Sequence, residues 1–436
     1  MTPLRLAVAG LIALAVAMGI GRFAFTPILP MMLHDRVVDL RGASWLASAN
    51  YIGYLLGASL CTVQPMLWAR LGWRAVDAPS LVRAGLVGTA LLTLGMALPF
   101  EPTWASLRFA AGLASALVFV YSSGWCLARL AELGNASLGG LMFAGPGAGI
   151  VASGLLAREM VAADRSAAET WLLFGIAACA LTAWVWSVFR TPTVGARPLT
   201  PTLSPQAGRG SRSAARPTTG HGRASPSPAP AGEGRGDGPR THGRAEVATL
   251  AFAYGLSGFG YIVTATFLPV IARTALSADS PWLDLFWPIF GAGVIVGALL
   301  ATRVRVSGDL RLVLALAYVV QAIAIGIGVG LPTAAGFAVG SLLLGLPFTA
   351  ITYFALQEVR RLRPEHVAAT TGLVTVLWSI GQAAGPPMVA VILRRTADVN
   401  AAFSESLAIA AGALVLGALV YVAMSRAWPR NAGAPA

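Results

Sequence analysis

The chain has 436 residues, of which 56% are hydrophobic and only 11% charged, and its mean hydropathy is +0.71. A soluble domain carries roughly 25% charged residues, so the composition excludes one and requires a polytopic membrane protein. The net charge is +13 and every basic residue is Arg; in such a protein the excess belongs to loops facing a membrane surface, with no nucleic acid implied.

Apolar runs of about 20 residues read as membrane spans. The first, Leu6 to Leu33, holds Arg22 within Gly19-Ile-Gly-Arg-Phe-Ala-Phe-Thr-Pro-Ile-Leu-Pro. A cation in such a run costs about 2.5–3.5 kcal/mol on insertion scales and normally faces a bundle interior. Pro27 and Pro30 lack an N–H, and their rings collide with the carbonyls of Phe23 and Thr26, so a kink is expected there. Arg5 and the small residues Ala15 to Ala17 imitate a signal peptide. The run continues past them and has a repeat partner later in the chain, so it reads as an uncleaved first span.

Five more spans complete the first half: Trp45 to Ala69, Leu81 to Leu98, Thr103 to Leu127, Leu138 to Leu156 and Thr170 to Phe189. The fourth carries a second intramembrane cation, Arg108. The stretch from Thr191 to Ala245 contains 9 Pro, 10 Gly and 8 Arg in 55 residues, a composition that builds no core and reads as a disordered tether. Six spans follow it: Val247 to Ile271, Trp282 to Ala301, Leu310 to Leu331, Ala335 to Leu356, Val367 to Leu393 and Ala401 to Met424. The expected domains are therefore a six-helix bundle over 1–190, a tether over 191–245 and a second six-helix bundle over 246–430.

The two halves repeat. Gly19, Gly21 and Leu29-Pro30 return as Gly258, Gly260 and Leu268-Pro269 at an offset of 239. Gly53-x-x-x-Gly57 returns as Gly293-x-x-x-Gly297, and Gly145-Pro146 as Gly385-Pro386, at an offset of 240. Small residues at this spacing let helices approach closely in lipid, and packing is their expected role. Parallel repeats of six spans imply a pseudo-twofold axis along the membrane normal. With both termini cytoplasmic, the inner loops outside the tether hold 14 Arg against 7 outside, and the positive-inside rule selects that orientation.

Twelve spans, a central tether and these repeats resemble the major facilitator superfamily. Arg70-Leu71-Gly72-Trp73-Arg74 is similar to the basic part of its loop after the second helix, with Ala69 where that loop has an Asp. Arg108-x-x-x-Gly112 resembles the buried-arginine motif of the fourth helix, and Gly145-Pro146-Gly147-Ala148-Gly149 the Gly-Pro motif found in many exporters. Gly19 to Pro27 and Asn50-Tyr51-Ile52-Gly53-Tyr54 are similar to the YbfB/YjiJ-type branch. The resemblance implies an all-α fold of two six-helix bundles and transport of a small solute by alternating access.

At the repeat offsets Arg22 falls on Tyr261 and Arg108 on Phe348, so each cation belongs to one half alone. A position needed only for folding tends to match between copies, and this asymmetry favours a functional role. Arg22 lies roughly 13 Å below the outer end of its helix and Arg108 roughly 8 Å below the start of its own, with Asn50 at a comparable depth. Arg108 reads either as a clamp on kinked backbone or as a substrate contact. Tyr54, Tyr121, Tyr261, Trp378 and Gln382 are candidates to line a central cavity, Gln382 foremost because its counterpart is Met142. The candidate substrate-binding or coupling residues are Arg22, Arg108, Asn50, Tyr54, Tyr261 and Gln382.

No span interior contains Asp, Glu, Lys or His, the nearest being Asp284 and Glu405 just inside the outer starts of the eighth and twelfth spans, and no phosphate-binding loop, metal-ligand cluster or nucleophile with a base is visible. Cys61, Cys126 and Cys179 are too scattered for a disulfide framework or a metal site. The expectation is a monomeric secondary transporter of the bacterial inner membrane, not an enzyme, without cofactor or metal, whose partners are a small solute and the bilayer. Two uncompensated cations point to an anionic solute. The alternatives are a drug-type exporter of hydrophobic or cationic compounds and a non-transporting sensor or assembly protein with the same fold.

Overall fold

The computed structural model describes residues 2–73, 76–190, 243–303 and 308–429. Among the described residues, twelve apolar helices pack into one unit. They are α1 (Pro3–His34), α2 (Leu40–Leu71), α3 (Ala78–Gly95), α4 (Glu101–Glu132), α5 (Ala136–Ala162) and α6 (Ala167–Val185), then α7 (Arg244–Ala275), α8 (Phe286–Ala301), α9 (Leu310–Gly330), α10 (Ala334–Leu362), α11 (Val367–Arg395) and α12 (Val399–Ala427). All but α8 are long and apolar enough to cross a membrane. The end of the bundle at which α1 begins and α12 finishes is called the terminal side below, and the opposite end the far side.

Short polar residues start the helices. Asp39, Asp77, Ser166, Asp309, Thr333 and Asp398 each accept a backbone N–H of the turn that follows, which satisfies donors that a helix start leaves open. At Ser166 the reciprocal bond from Glu169 completes a capping box. Gly72 ends α2 with φ of 66°, a left-handed conformation that favours glycine.

The repeat is visible in the packing. α2 lies on α4, α1 on α5 and α3 on α6, and the second half repeats these pairs as α8 on α10, α7 on α11 and α9 on α12. Across the halves α2 meets α11 and α5 meets α8. The α2–α4 crossing depends on absent side chains: a Cβ on Gly53 would stand 1.9 Å from the carbonyl oxygen of Phe109, and one on Gly112 2.0 Å from that of Asn50.

Three expectations change. α8 starts at Phe286, four residues after the expected Trp282; residues 281–285 form turns, among which Asp284 pairs with Arg273 at the end of α7. Its 16 residues span about 24 Å at about 1.5 Å per residue. The tether lies outside the described residues except for 243–245, where α7 has already begun at Arg244.

The third change concerns carboxylates. α7 and α10 run beyond the apolar spans on the terminal side and carry Glu246 and Glu358 into the protein, 1% and 0% exposed. Arg311, also fully buried, pairs with Glu246 at 3.3 Å and Asp309 at 2.7 Å, lies 3.7 Å from Glu358, and donates to the carbonyls of Met424 and Trp428. Arg361 pairs with Glu358. This cluster ties the terminal-side ends of α7, α9, α10 and α12. The sequence expectation of spans free of carboxylates followed the apolar runs, and the helices outlast them.

Candidate functional site

α1 is not a uniform helix. Pro3–Leu14 and Phe25–His34 are α-helical, and Ala15–Phe23 between them is a π-helix of 9 residues. Wide turns of this kind are rare and concentrate at functional positions. The surroundings fit this stretch closely. Gly19 meets Gly149 of α5 backbone to backbone, where a Cβ would stand 2.4 Å from the Gly149 Cα. Ser115 of α4 donates to the carbonyl of Ala17 at 2.7 Å.

Arg108 completes the support. Its Nη1 donates to the carbonyl of Gly21 at 3.2 Å and its Nη2 to that of Arg22 at 3.1 Å. Both carbonyls sit at the junction between the π segment and the outer α segment, where Pro27 has no N–H to return to the preceding turn. A planar guanidinium matches two neighbouring acceptors better than an ammonium. Of the two roles open to Arg108, this geometry is that of a clamp on kinked backbone. Asn50 stands behind it, its Nδ2 donating to the Arg108 carbonyl at 2.9 Å. The hydrogen bonds of Arg108 and Asn50 thus go to backbone carbonyls of α1 and α4.

With its backbone so held, Arg22 points toward the second half. The side chain is 1% exposed, and Nη2 donates to Oε1 of Gln382 on α11. The Gln382 Nε2 in turn donates to the hydroxyl of Tyr261 on α7. The guanidinium carbon lies 4.0 Å from the ring centre of Tyr54, 5.2 Å from Tyr51 and 5.7 Å from Trp378. Ring faces of this kind attract a cation by about 2 kcal/mol when desolvated. The Nε and Nη1 groups have no acceptor among the described residues. Arg22, Tyr54, Tyr261 and Gln382, four of the six sequence candidates, therefore meet across the boundary between the halves.

Trp378 is stacked on Tyr254 and Tyr261, with ring centres 6.1 and 5.9 Å away. Tyr121 stands apart, donating to Gln64 within the first half. On the far side two further hydrogen bonds join the halves: Thr26 donates to the carbonyl of Ala265 at 2.8 Å, and the hydroxyls of Tyr51 and Thr266 lie 2.9 Å apart. Thr26, Tyr51 and Thr266 were not among the candidates. Tyr51 could have been found, since it precedes Tyr54 by three residues and shares its helix face; nothing in the sequence marks the two threonines.

Two pseudo-symmetric six-helix halves of apolar, membrane-length helices, with a cluster of polar and aromatic side chains at their boundary, are the arrangement of a membrane transporter of the major facilitator type. The profile of the family described as "Uncharacterised MFS-type transporter YbfB" matches residues 14–215 and 226–422, and the chain belongs to that family. No curated protein sequence matches it. Among solved structures it is similar to the nucleoside transporter NupG, at 14% identity and a TM-score of 0.61, over 97% of this chain and 99% of that one. An aspartate-to-alanine variant of the same transporter matches at 14% identity, with a TM-score of 0.63 and the same coverage. At this identity the likeness is one of fold.

Proposed function

We propose that the protein is a secondary active transporter that moves a small organic anion by alternating access, with Arg22 as the anion contact. The observation that carries this reading is a buried guanidinium at the boundary of the halves, two of whose three nitrogens have no acceptor among the described residues. A carboxylate placed there would accept charge-assisted hydrogen bonds and supply the charge that the site lacks. Gln382, itself bonded to Tyr261, holds the guanidinium from the second half, so an anion that draws Arg22 away from Gln382 also loosens a link between halves. Thr26–Ala265 and Tyr51–Thr266 are the far-side links that must part for the site to open there. Arg108 and Asn50 act by positioning α1.

The same reading makes the protein a monomer of the bacterial inner membrane, with both termini cytoplasmic; the asymmetry of loop arginines supports that orientation. A cysteine at Ser277 should then react with an impermeant maleimide from outside the cell, and one at Ser225 should not.

The test of transport is reconstitution. Purified protein is screened by thermal shift against organic anions, and each stabilising compound is offered in labelled form to proteoliposomes. Saturable uptake of an anion supports the reading. Equal uptake of uncharged or cationic solutes would favour the exporter alternative, and no uptake of any stabilising compound would favour a sensor or assembly role.

A further inference from the structure

The flank formed by α3 and α6 carries a groove that has no part in the site at the boundary of the halves. Its volume is about 350 Å³, and Val87 and Leu91 of α3 and Cys179, Thr182, Ala183 and Trp186 at α6 line it. That size falls within the range of small-molecule sites, about 300–1,000 Å³. The walls are apolar and open sideways: Leu91 is 59% exposed, and Cys179 is the exposed one of the three cysteines. Inside it, Thr182 is 6% exposed, and its hydroxyl has no partner among the described residues.

The terminal-side end of the groove differs in kind. Arg83 of α3 donates through Nη2 to the carbonyl of Trp186 at 2.8 Å, and its guanidinium carbon lies 4.6 Å from the Trp186 ring. Arg5 of α1 reaches the neighbouring residue, its Nη2 donating to the Ser187 hydroxyl at 3.3 Å. Two guanidinium groups thus bracket residues 186–187, each with further N–H groups left over. Asp77, the residue before α3, accepts from the backbone N–H and the hydroxyl of Ser80. Tryptophan beside the mouth is the residue that settles at a membrane interface, and basic pockets between membrane helices recognise anionic head groups.

We propose that this groove is a binding site for one anionic phospholipid of the leaflet on the terminal side, its phosphate held by Arg83 and Arg5 and an acyl chain lying along the channel between α3 and α6. Charge complementarity at the mouth and an apolar channel behind it select a lipid in place of a free anion. Two head-group arginines set the preference over a zwitterionic lipid at about 30-fold, equivalent to about 2 kcal/mol at 1.4 kcal/mol per tenfold.

The test uses the full chain in mild detergent, titrated with dioleoyl-phosphatidylglycerol, dioleoyl-phosphatidylcholine or inorganic phosphate and read by native mass spectrometry. Wild type should retain one phosphatidylglycerol where phosphatidylcholine is stripped. Arg5→Ala with Arg83→Ala should reduce that retention about 30-fold, whereas Arg36→Ala with Arg41→Ala, an equal charge loss on the far side, should leave it unchanged. Ala183→Phe fills the channel from an exposed position, keeps both arginines, and should also displace the lipid. Equal retention of the two lipids by wild type overturns the proposal. So does loss in the arginine variant with none in Ala183→Phe, which would identify a surface anion site that phosphate also occupies. If the double-arginine variant fails to fold, wild-type selectivity and Ala183→Phe decide the matter between them.

Discussion

Replacing Arg22 by Gln separates its two conceivable roles, because a contact and a clamp respond in opposite directions. In the closed site the guanidinium has one hydrogen bond, to Gln382, and lies 4.0 Å from the Tyr54 ring. Losing these costs about 1.5–3 kcal/mol for a hydrogen bond to a charged group and about 2 kcal/mol for a desolvated cation–π contact. Against this, the variant no longer buries a charge without a counter-charge, a penalty of several kcal/mol. The two sides are of similar size, so the melting temperature of Arg22→Gln should stay close to wild type or rise. Anion binding has no such offset. Two charge-assisted hydrogen bonds at about 1.5–3 kcal/mol each correspond to a loss of affinity of about 10² to 10⁴-fold. Arg22→Lys keeps the charge but offers no planar fork and should fall between, about 10 to 100-fold weaker. The assay is a ligand-dependent thermal shift, repeated as uptake into proteoliposomes with the anion that stabilises wild type. Binding by Arg22→Gln within about threefold of wild type would refute the contact, and unfolding of the variant would show that α1 needs Arg22 as a strut.

Other sites should behave differently. Arg108→Gln removes two hydrogen bonds from a charged donor to the Gly21 and Arg22 carbonyls and should destabilise by about 3–5 kcal/mol, seen as a lower melting temperature without ligand; Arg108→Lys should restore little of it. Gly53→Val should cost more than the about 1–3 kcal/mol typical of overpacking, because its Cβ would meet the Phe109 carbonyl oxygen, and the folded yield on size exclusion should collapse. Glu358→Gln breaks a buried ion cluster and should cost about 3–5 kcal/mol while leaving the anion affinity of the remaining folded protein unchanged. A large change in that affinity would mean that the cluster communicates with the boundary between the halves.

Most of the architecture was legible because lipid imposes a simple rule: long apolar runs are helices, and repeated glycines mark where two of them touch. Arg22 was legible for the same reason, as a charge out of place whose counterpart in the repeat is Tyr261. The pairing of Arg22 with Gln382 could not be read, since it joins residues 360 apart in sequence and no pattern in one helix records its partner in another. The π segment was hidden too. Proline chemistry located a kink between Phe23 and Pro30, but the wide turn begins at Ala15, and its support from Ser115 and Arg108 is tertiary. The ion cluster around Arg311 escaped because hydropathy ends a span where charges begin, whereas the helices continue and fold those charges inward.

The wide turns of α1 have a consequence for how this chain tolerates change in length. The two ends of the stretch Ala15–Phe23 are fixed to different neighbours: Ala17, near its start, to Ser115 within the first half, and Thr26, just beyond its end, to Ala265 of the second. With the wide turns kept, removing a single residue between them would turn everything beyond about the helix axis, by somewhat less than the roughly 100° that one residue of an α-helix covers. No rotamer of residue 22 could then regain Gln382 while Thr26 kept its acceptor. A conservative substitution in this stretch alters one contact, but a one-codon deletion would uncouple the helix from one half or the other. The position of the cation is set by counting residues as much as by chemistry.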